Sequence, residues 1–152
     1  MSQTNELEIM ERIALDLEGV EESLASSFNT GAEDFNALIR PLSAAGGKRL
    51  RAQLCLLIAN AGTSVERQRI RIAEAVEMLH LATLIHDDVL DQAEIRRGEE
   101  TIHMHKGNKV AILSGDYLFA KAFQIVSEMP NMKYLQIFSH IITCLVEGEF
   151  MQ

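Results

Sequence analysis

The sequence predicts an all-α fold, a helical bundle, and three observations carry that reading. Apolar residues recur every three or four positions through long stretches, as one face of a helix requires. Only two prolines occur in 152 residues, and no stretch shows the alternation of a half-buried strand. Between Met78 and Ile85 the chain is apolar on nearly every side, the mark of a helix buried among others.

The first helix is expected over residues 6–28, with Leu7, Met10, Ile13, Leu17, Val20 and Leu24 on one face. Its other face carries Glu6, Glu8, Glu11, Asp16, Glu18, Glu21 and Glu22, a charge run that reads as solvated. Asn29-Thr30-Gly31 ends it, and a short second helix over 32–39 is expected to stop near Pro41. Gly46-Gly47 leads through Lys48-Arg49-Leu50-Arg51 into an apolar helix over 54–61, closed by Gly62. The next helix is expected to start near Thr63-Ser64, with Glu66 as cap partner, and to run to about Asp91. Gly98 breaks the chain, 101–107 is a short helix or turn, and 109–129 is a helix ended by Pro130. Asn131 caps a last helix, apolar along Leu135, Phe138, Ile141, Ile142, Leu145 and Val146 and expected still to be helical at Gln152. No strand and no internal repeat is expected.

The length suits one domain with a real core, here residues 1–152. A net charge of −8 argues against general nucleic-acid binding, which asks for a basic face. Cys55 and Cys144 lie in apolar helical contexts without metal-ligand spacing, so both read as reduced core residues. The polar, acidic start has no leader-like apolar segment, and no apolar run approaches about 18 residues, so a cytoplasmic protein without a transmembrane segment is expected.

The chemistry concentrates in the buried stripe, which holds His80, Asp87, Asp88 and Asp91. At helical spacing Asp91 lies about 40° from Asp87 around the axis, and His80 roughly 20° from it, two turns back. Like charges one turn apart repel, burial sharpens the repulsion, and the C-terminal end of a helix disfavours anions. No Lys or Arg stands three or four residues from any of the three acids, so the cluster wants a cation from outside. An all-oxygen carboxylate set points to Mg2+ shared with substrate phosphates. Two basic groups flank the stripe. Lys48 and Arg51, three apart after paired glycines, could grip a diphosphate together, although a loop balancing the acidic surface reads equally simply. Arg96-Arg97 could equally be dipole compensation after a helix end. His103 and His105, two apart on a helix, do not face each other and make a poor metal pair.

In combination these segments resemble the trans-type polyprenyl diphosphate synthases. The resemblance rests on Gly46-Gly47-Lys48-Arg49-x-Arg51, on Glu77-Met78-Leu79-His80 leading into Leu84-Ile85-His86-Asp87-Asp88-Val89-Leu90-Asp91, and on Arg96-Arg97-Gly98. Gly115-Asp116-Tyr117-Leu118 and Gly148-Glu149-x-x-Gln152 extend it from about residue 40 onward. It implies an isoprenoid-synthase bundle that condenses isopentenyl diphosphate head-to-tail with an allylic diphosphate, closest to the hexa-, hepta- and octaprenyl synthases. By carry-over, Asp87 and Asp91 would hold Mg2+ on the allylic diphosphate, with Asp88 in support and Arg96 touching the same group. Lys48, Arg51, His80 and Arg97 would bind isopentenyl diphosphate. Small residues at Thr83 and Ala82, where bulky aromatics close the tail cavity in short-chain members, imply a medium or long all-trans product.

The family also carries further helices and a second aspartate-rich motif, which are absent here. The chain is therefore expected to be the N-terminal part of such a bundle, truncated before its C-terminal helices, inactive alone and exposing an apolar face. The intact protein is expected to be a homodimer (or heterodimer) with a membrane-partitioning product. The alternative is an inactive truncated partner or regulatory subunit, which would have no need of the diphosphate-binding residues. A terpene cyclase would share the aspartates but not require Gly46 to Arg51.

Overall fold

The computed structural model describes residues 3–29, 33–44, 47–62 and 65–151. In chain order the elements are α1 (Gln3–Ser27), α2 (Glu33–Ala44), α3 (Leu50–Asn60), α4 (Glu66–Leu90), β1 (Ile95–Arg96), β2 (Glu99–Glu100), α5 (Ile102–Lys106), α6 (Asn108–Ser127) and α7 (Met132–Phe150). The all-α expectation holds, with small differences at the boundaries. Pro41 does not stop α2, which continues to Ala44. A proline deprives the carbonyl four residues back of its partner, and here that residue, Ala37, is exposed, so water can serve the freed oxygen. The proposed cap at Thr63-Ser64 lies outside the described residues; α4 begins after Val65, with no side-chain cap bond. Asn131 does cap α7, accepting the Lys133 amide at 2.9 Å. That helix ends at Phe150, with Met151 in a turn, and Gln152 lies outside the described residues.

The one missed feature of secondary structure is a hairpin. β1 and β2 pair antiparallel through Ile95↔Glu100 and Arg96↔Glu99. The turn between them has two consecutive left-handed residues, Arg97 (φ 54°) and Gly98 (φ 87°), the geometry that lets strands of right-handed twist reverse in two residues. The ladder is fastened to the end of α4: the Ala93 amide donates to the Asp88 carbonyl at 3.0 Å, and the Thr101 hydroxyl to the Ala93 carbonyl at 2.8 Å.

Helix α4 is the axis of the bundle, packing against α1, α3 and most extensively α6. Its buried Met78, Leu79, Leu81, Ala82 and Ile85 match the apolar stretch seen in the sequence. Facing it, α6 buries Leu118 and the small residues Ala111, Ser114, Gly115 and Ala122, which let two helices approach. The approach is tightest at Gly115, where any Cβ would run into the His86 imidazole. By length and composition alone α6 could cross a membrane, a test that the core helix of a water-soluble bundle also passes. Its buried side is spent on α4.

The acidic face of α1 is not uniformly solvated. Asp16 is buried and receives Arg69 of α4 through two bonds, 2.9 and 3.1 Å. Glu74, fully buried on α4, accepts the hydroxyls of Ser23 and Ser27 at 2.6 and 2.7 Å and pairs with Arg71 at 2.6 Å. Helix α7 packs chiefly on α6, with Phe123 and Phe138 edge to face at 5.5 Å. Ile137, Ile141, Leu145 and Val146 stay exposed on it, as do Leu50, Leu54, Leu57 and Ile58 on α3. An apolar face is thus open, as expected. For the same reason Cys144 is exposed and not a core residue, while Cys55 is half-buried; both are free.

Gly115→Ala is expected to lower stability by about 1–3 kcal/mol, since a methyl must displace His86 or part the α4–α6 pair. A urea melt with an unchanged midpoint would show that the contact yields freely.

Candidate functional site

The last three turns of α4 carry the acids and the histidine, and the structure sorts them by what each faces. Asp88 is buried, and its carboxylate accepts Arg96 Nε at 2.6 Å. The offsetting cation that helical spacing failed to supply therefore comes from β1, eight residues on, brought back by the hairpin. Asp87 is half-buried and Asp91, the residue capping α4, is exposed. Burial, followed by the nearby charge of Asp91, raises the Asp87 pKa above the ordinary carboxylate value, and Arg96 only partly opposes them. Neither Asp87 nor Asp91 has a salt bridge among the described residues.

A cationic group gathers one to two turns earlier. Arg51 Nη1 lies 3.1 Å from His80 Nε2. Burial, then Arg51, and more weakly Arg97 and Arg96, lower the His80 pKa, while Glu77 opposes them; the shift favours the neutral ring, which can accept from Arg51. Arg97 reaches the same place from the hairpin turn: a methyl on Gly47 would stand 3.2 Å from its Nη2. Gly46 lies outside the described residues. Lys48 is exposed, and its carbonyl accepts Gln53 Nε2 at 2.6 Å, which fixes the backbone entering α3. Lys48, Arg51, His80 and Arg97, drawn from three separate segments, thus belong to one neighbourhood, with Arg96 between it and the acids.

The residues that hold this neighbourhood together carried no role in the sequence reading. Glu77 is 3% exposed, and its Oε1 accepts the Ala52 amide at 3.0 Å. Its Oε2 accepts Arg49 Nη1 at 3.3 Å. Arg49 also makes a two-bond contact with Glu21 of α1, at 2.6 and 3.1 Å. One of the α3 amides that could have met an anion is thereby already taken. The only signal for Glu77 was a charge inside an apolar run, and nothing in helical periodicity names a partner so far along the chain.

Two carboxylates one turn apart, hard oxygen donors with no protein cation of their own, suit a small divalent ion that keeps waters and takes its remaining ligands from phosphate. No group of three or more acids, histidines or cysteines placed to hold a metal occurs among the described residues, so the pair could not build a closed cage. A separate open cleft is lined by Leu38 of α2, Leu81, Leu84 and Ile85 of α4, Ile102 of α5 and Val110 of α6, with Asp88 and Arg96 among its polar residues. Neither Ala82, fully buried, nor Thr83, whose hydroxyl donates to the His80 carbonyl at 2.8 Å, lines that cleft.

The profile of one family, polyprenyl synthetase, matches residues 32–152. The chain belongs to the polyprenyl synthetase family. Over 144 residues it is 33% identical to the octaprenyl diphosphate synthase of Escherichia coli (strain K12), covering 95% of this chain and 45% of that protein. The chloroplastic solanesyl diphosphate synthase 1 of Arabidopsis thaliana is 34% identical over 150 residues, again 95% of this chain but 37% of its own length. Among solved structures, a decaprenyl diphosphate synthase from Rhodobacter capsulatus superposes with a TM-score of 0.86 at 32% identity, over 95% of this chain and 45% of that one. A polyprenyl synthase from Caulobacter crescentus CB15, complexed with calcium and isoprenyl diphosphate, gives 0.87 at 36% identity, over 93% and 44%. This polyprenyl synthetase chain spans less than half the length of these relatives.

An imidazole whose pKa is lowered by folding resists the proton that the unfolded chain takes up at about 6.5. Stability is therefore unaffected by this group above about pH 6.5 and falls as the pH drops below it. With Arg51, Arg97, Arg96 and Glu77 around it, His80→Gln is expected to flatten the decline of melting temperature between about pH 6.5 and 5. An unaltered slope would contradict a neutral His80.

Proposed function

We propose that the protein carrying this chain is a trans-prenyltransferase that adds isopentenyl diphosphate head-to-tail to an allylic diphosphate, giving a medium or long all-trans polyprenyl diphosphate. One observation supports this above the rest: an acidic couple without a salt bridge among the described residues stands at the end of α4, and about two turns back His80 meets Arg51 of α3 beside Lys48 and Arg97. One end suits a metal-bound diphosphate and the other a bare one. The octaprenyl, solanesyl and decaprenyl names of the relatives favour the longer products.

In this reading the C–O bond of the allylic ester breaks, with its electron pair leaving on the diphosphate. The double bond of isopentenyl diphosphate attacks the freed carbon, and a proton is lost. Asp87 and Asp91 would hold Mg2+, which offsets the charge building on the leaving group. Asp88 orients Arg96 toward that group through their 2.6 Å ion pair. Lys48, Arg51 and Arg97 hold the second diphosphate, and neutral His80 orients Arg51. Apolar side chains along α4 exclude water from the carbocation.

A dimer, of identical or different subunits, belongs to the same proposal, in keeping with the apolar residues exposed on α7. We place the protein in the cytoplasm, in keeping with its two free cysteines.

In the full-length protein Asp87→Ala is expected to cut Mg2+-dependent condensation by roughly 100-fold or more. Thr83→Phe is expected to shift the product toward shorter chains, read by chromatography of the hydrolysed alcohols. Unchanged turnover in the first variant removes the metal assignment. Unchanged chain length in the second removes the role given to Thr83.

A further inference from the structure

We propose that Arg49, which itself faces away from solvent, is the positioning residue of the isopentenyl diphosphate site, fixing Lys48 and Arg51 through its clamp on Glu21 and Glu77. The proposal rests on the diphosphate reading given above and assigns a role to the one cation of the Lys48-Arg49-x-Arg51 segment that the reading leaves unused.

The geometry is specific. Arg49 caps α3 in the left-handed conformation, φ 46° and ψ 37°, which a side chain larger than glycine or asparagine seldom adopts. Its side chain is 7% exposed, whereas Lys48 and Arg51 on either side are exposed. A left-handed residue reverses the local course of the backbone, so the side chain between two outward cations points inward. There Nε and Nη2 meet the Glu21 carboxylate of α1 at 2.6 and 3.1 Å, and Nη1 meets Glu77 of α4 at 3.3 Å. Because Glu77 also takes the Ala52 amide, the first turn of α3 is fastened to two other helices at one point. His80, three residues beyond Glu77 on the same helix, meets Arg51 at 3.1 Å. The fastening and the contact it sets lie on successive turns of α4. Releasing the clamp frees the backbone of 48–51 to choose a right-handed or extended conformation, which turns both outer cations away from His80 and Arg97.

The test is steady-state kinetics on the full-length protein, varying each substrate in turn, for Arg49→Met, Arg49→Lys, Glu21→Gln and, as a control on the site itself, Arg51→Ala. Arg49→Met is expected to raise KM for isopentenyl diphosphate roughly 10- to 100-fold, and KM for the allylic diphosphate by less than about 3-fold. Arg49→Lys should recover part of the loss, since it keeps the charge but not the fork. Glu21 is 46% exposed, so Glu21→Gln keeps the fold while loosening the clamp; it should move the isopentenyl KM in the same direction by a smaller factor. Should Arg49→Met fail to fold, Glu21→Gln and Arg49→Lys decide. If Arg51→Ala raises the isopentenyl KM and the clamp variants leave it unmoved, or move both KM values equally, the role of Arg49 is overturned and the site stands. If Arg51→Ala itself leaves that KM unmoved, the diphosphate reading fails and this proposal with it.

Discussion

A carboxylate in a helical core needs hydrogen-bond partners for both its oxygens, and Glu77 finds them outside its own helix. One oxygen closes the amide of Ala52, and the other takes the guanidinium of Arg49. Removing one partner from a buried pair of this kind costs about 3–5 kcal/mol, because the other charge is left without solvent. Burial alone would discourage the charge on Arg49; its bonds to Glu21 and Glu77 outweigh that and raise its pKa. The junction sets the start of α3 against the middle of α4, and every contact in the basic cluster inherits its position. Were it looser, Arg51 and His80 would belong to two helices free to slide past one another.

Helix α4 carries acids along its whole length, and they differ in how they are answered. Near its start Glu74 is served by two serines and Arg71, and Glu77 by Arg49 and an amide. Close to its end Asp88 is served by Arg96. Asp87 and Asp91 have no such partner among the described residues, and burial first, then the charge of Asp91, raises the Asp87 pKa. In the proposed function this couple, which has no salt bridge among the described residues, is where an external cation would sit. The contrast separates the acids that the proposal assigns to a metal from those bonded within the fold more sharply than the bare aspartate spacing does.

Relations within a helix were legible from periodicity alone. The buried positions Ile13, Val20 and Leu24 of α1, the burial of Met78, Leu79, Leu81, Ala82 and Ile85 on α4 and the neighbouring positions of Asp87 and Asp91 follow from 3.6 residues per turn, whereas Leu7 and Met10 of the same α1 stripe stay exposed. Relations between elements were not. Asp16 reads as one more acid on a solvated face until Arg69, 53 residues away, is packed against it. The hairpin escaped notice because a ladder of two residues is too short to alternate, and its turn uses Arg97-Gly98 where Asn-Gly would have been the stronger signal. Pro41 misled for a different reason: a proline's cost depends on whether water can reach the carbonyl it strands, and composition does not report exposure.

That small hairpin explains how adjacent arginines come to serve opposite ends of the site. Successive residues of a strand point to opposite sides, and the left-handed turn adds a further reversal after Arg96. Arg96 therefore returns to Asp88 beside the acidic couple, while Arg97 reaches across to Gly47 and the surroundings of His80. The distance between the two ends that the proposal assigns to diphosphates is thus set by one residue of backbone in a two-residue turn. Thr101 and Ala93 tie the base of that turn to α4, so the hairpin has little freedom to shift one arginine without the other. In the proposed function two diphosphates at those ends would be held in a spacing dictated by peptide geometry, as a reaction between their two carbon chains would require.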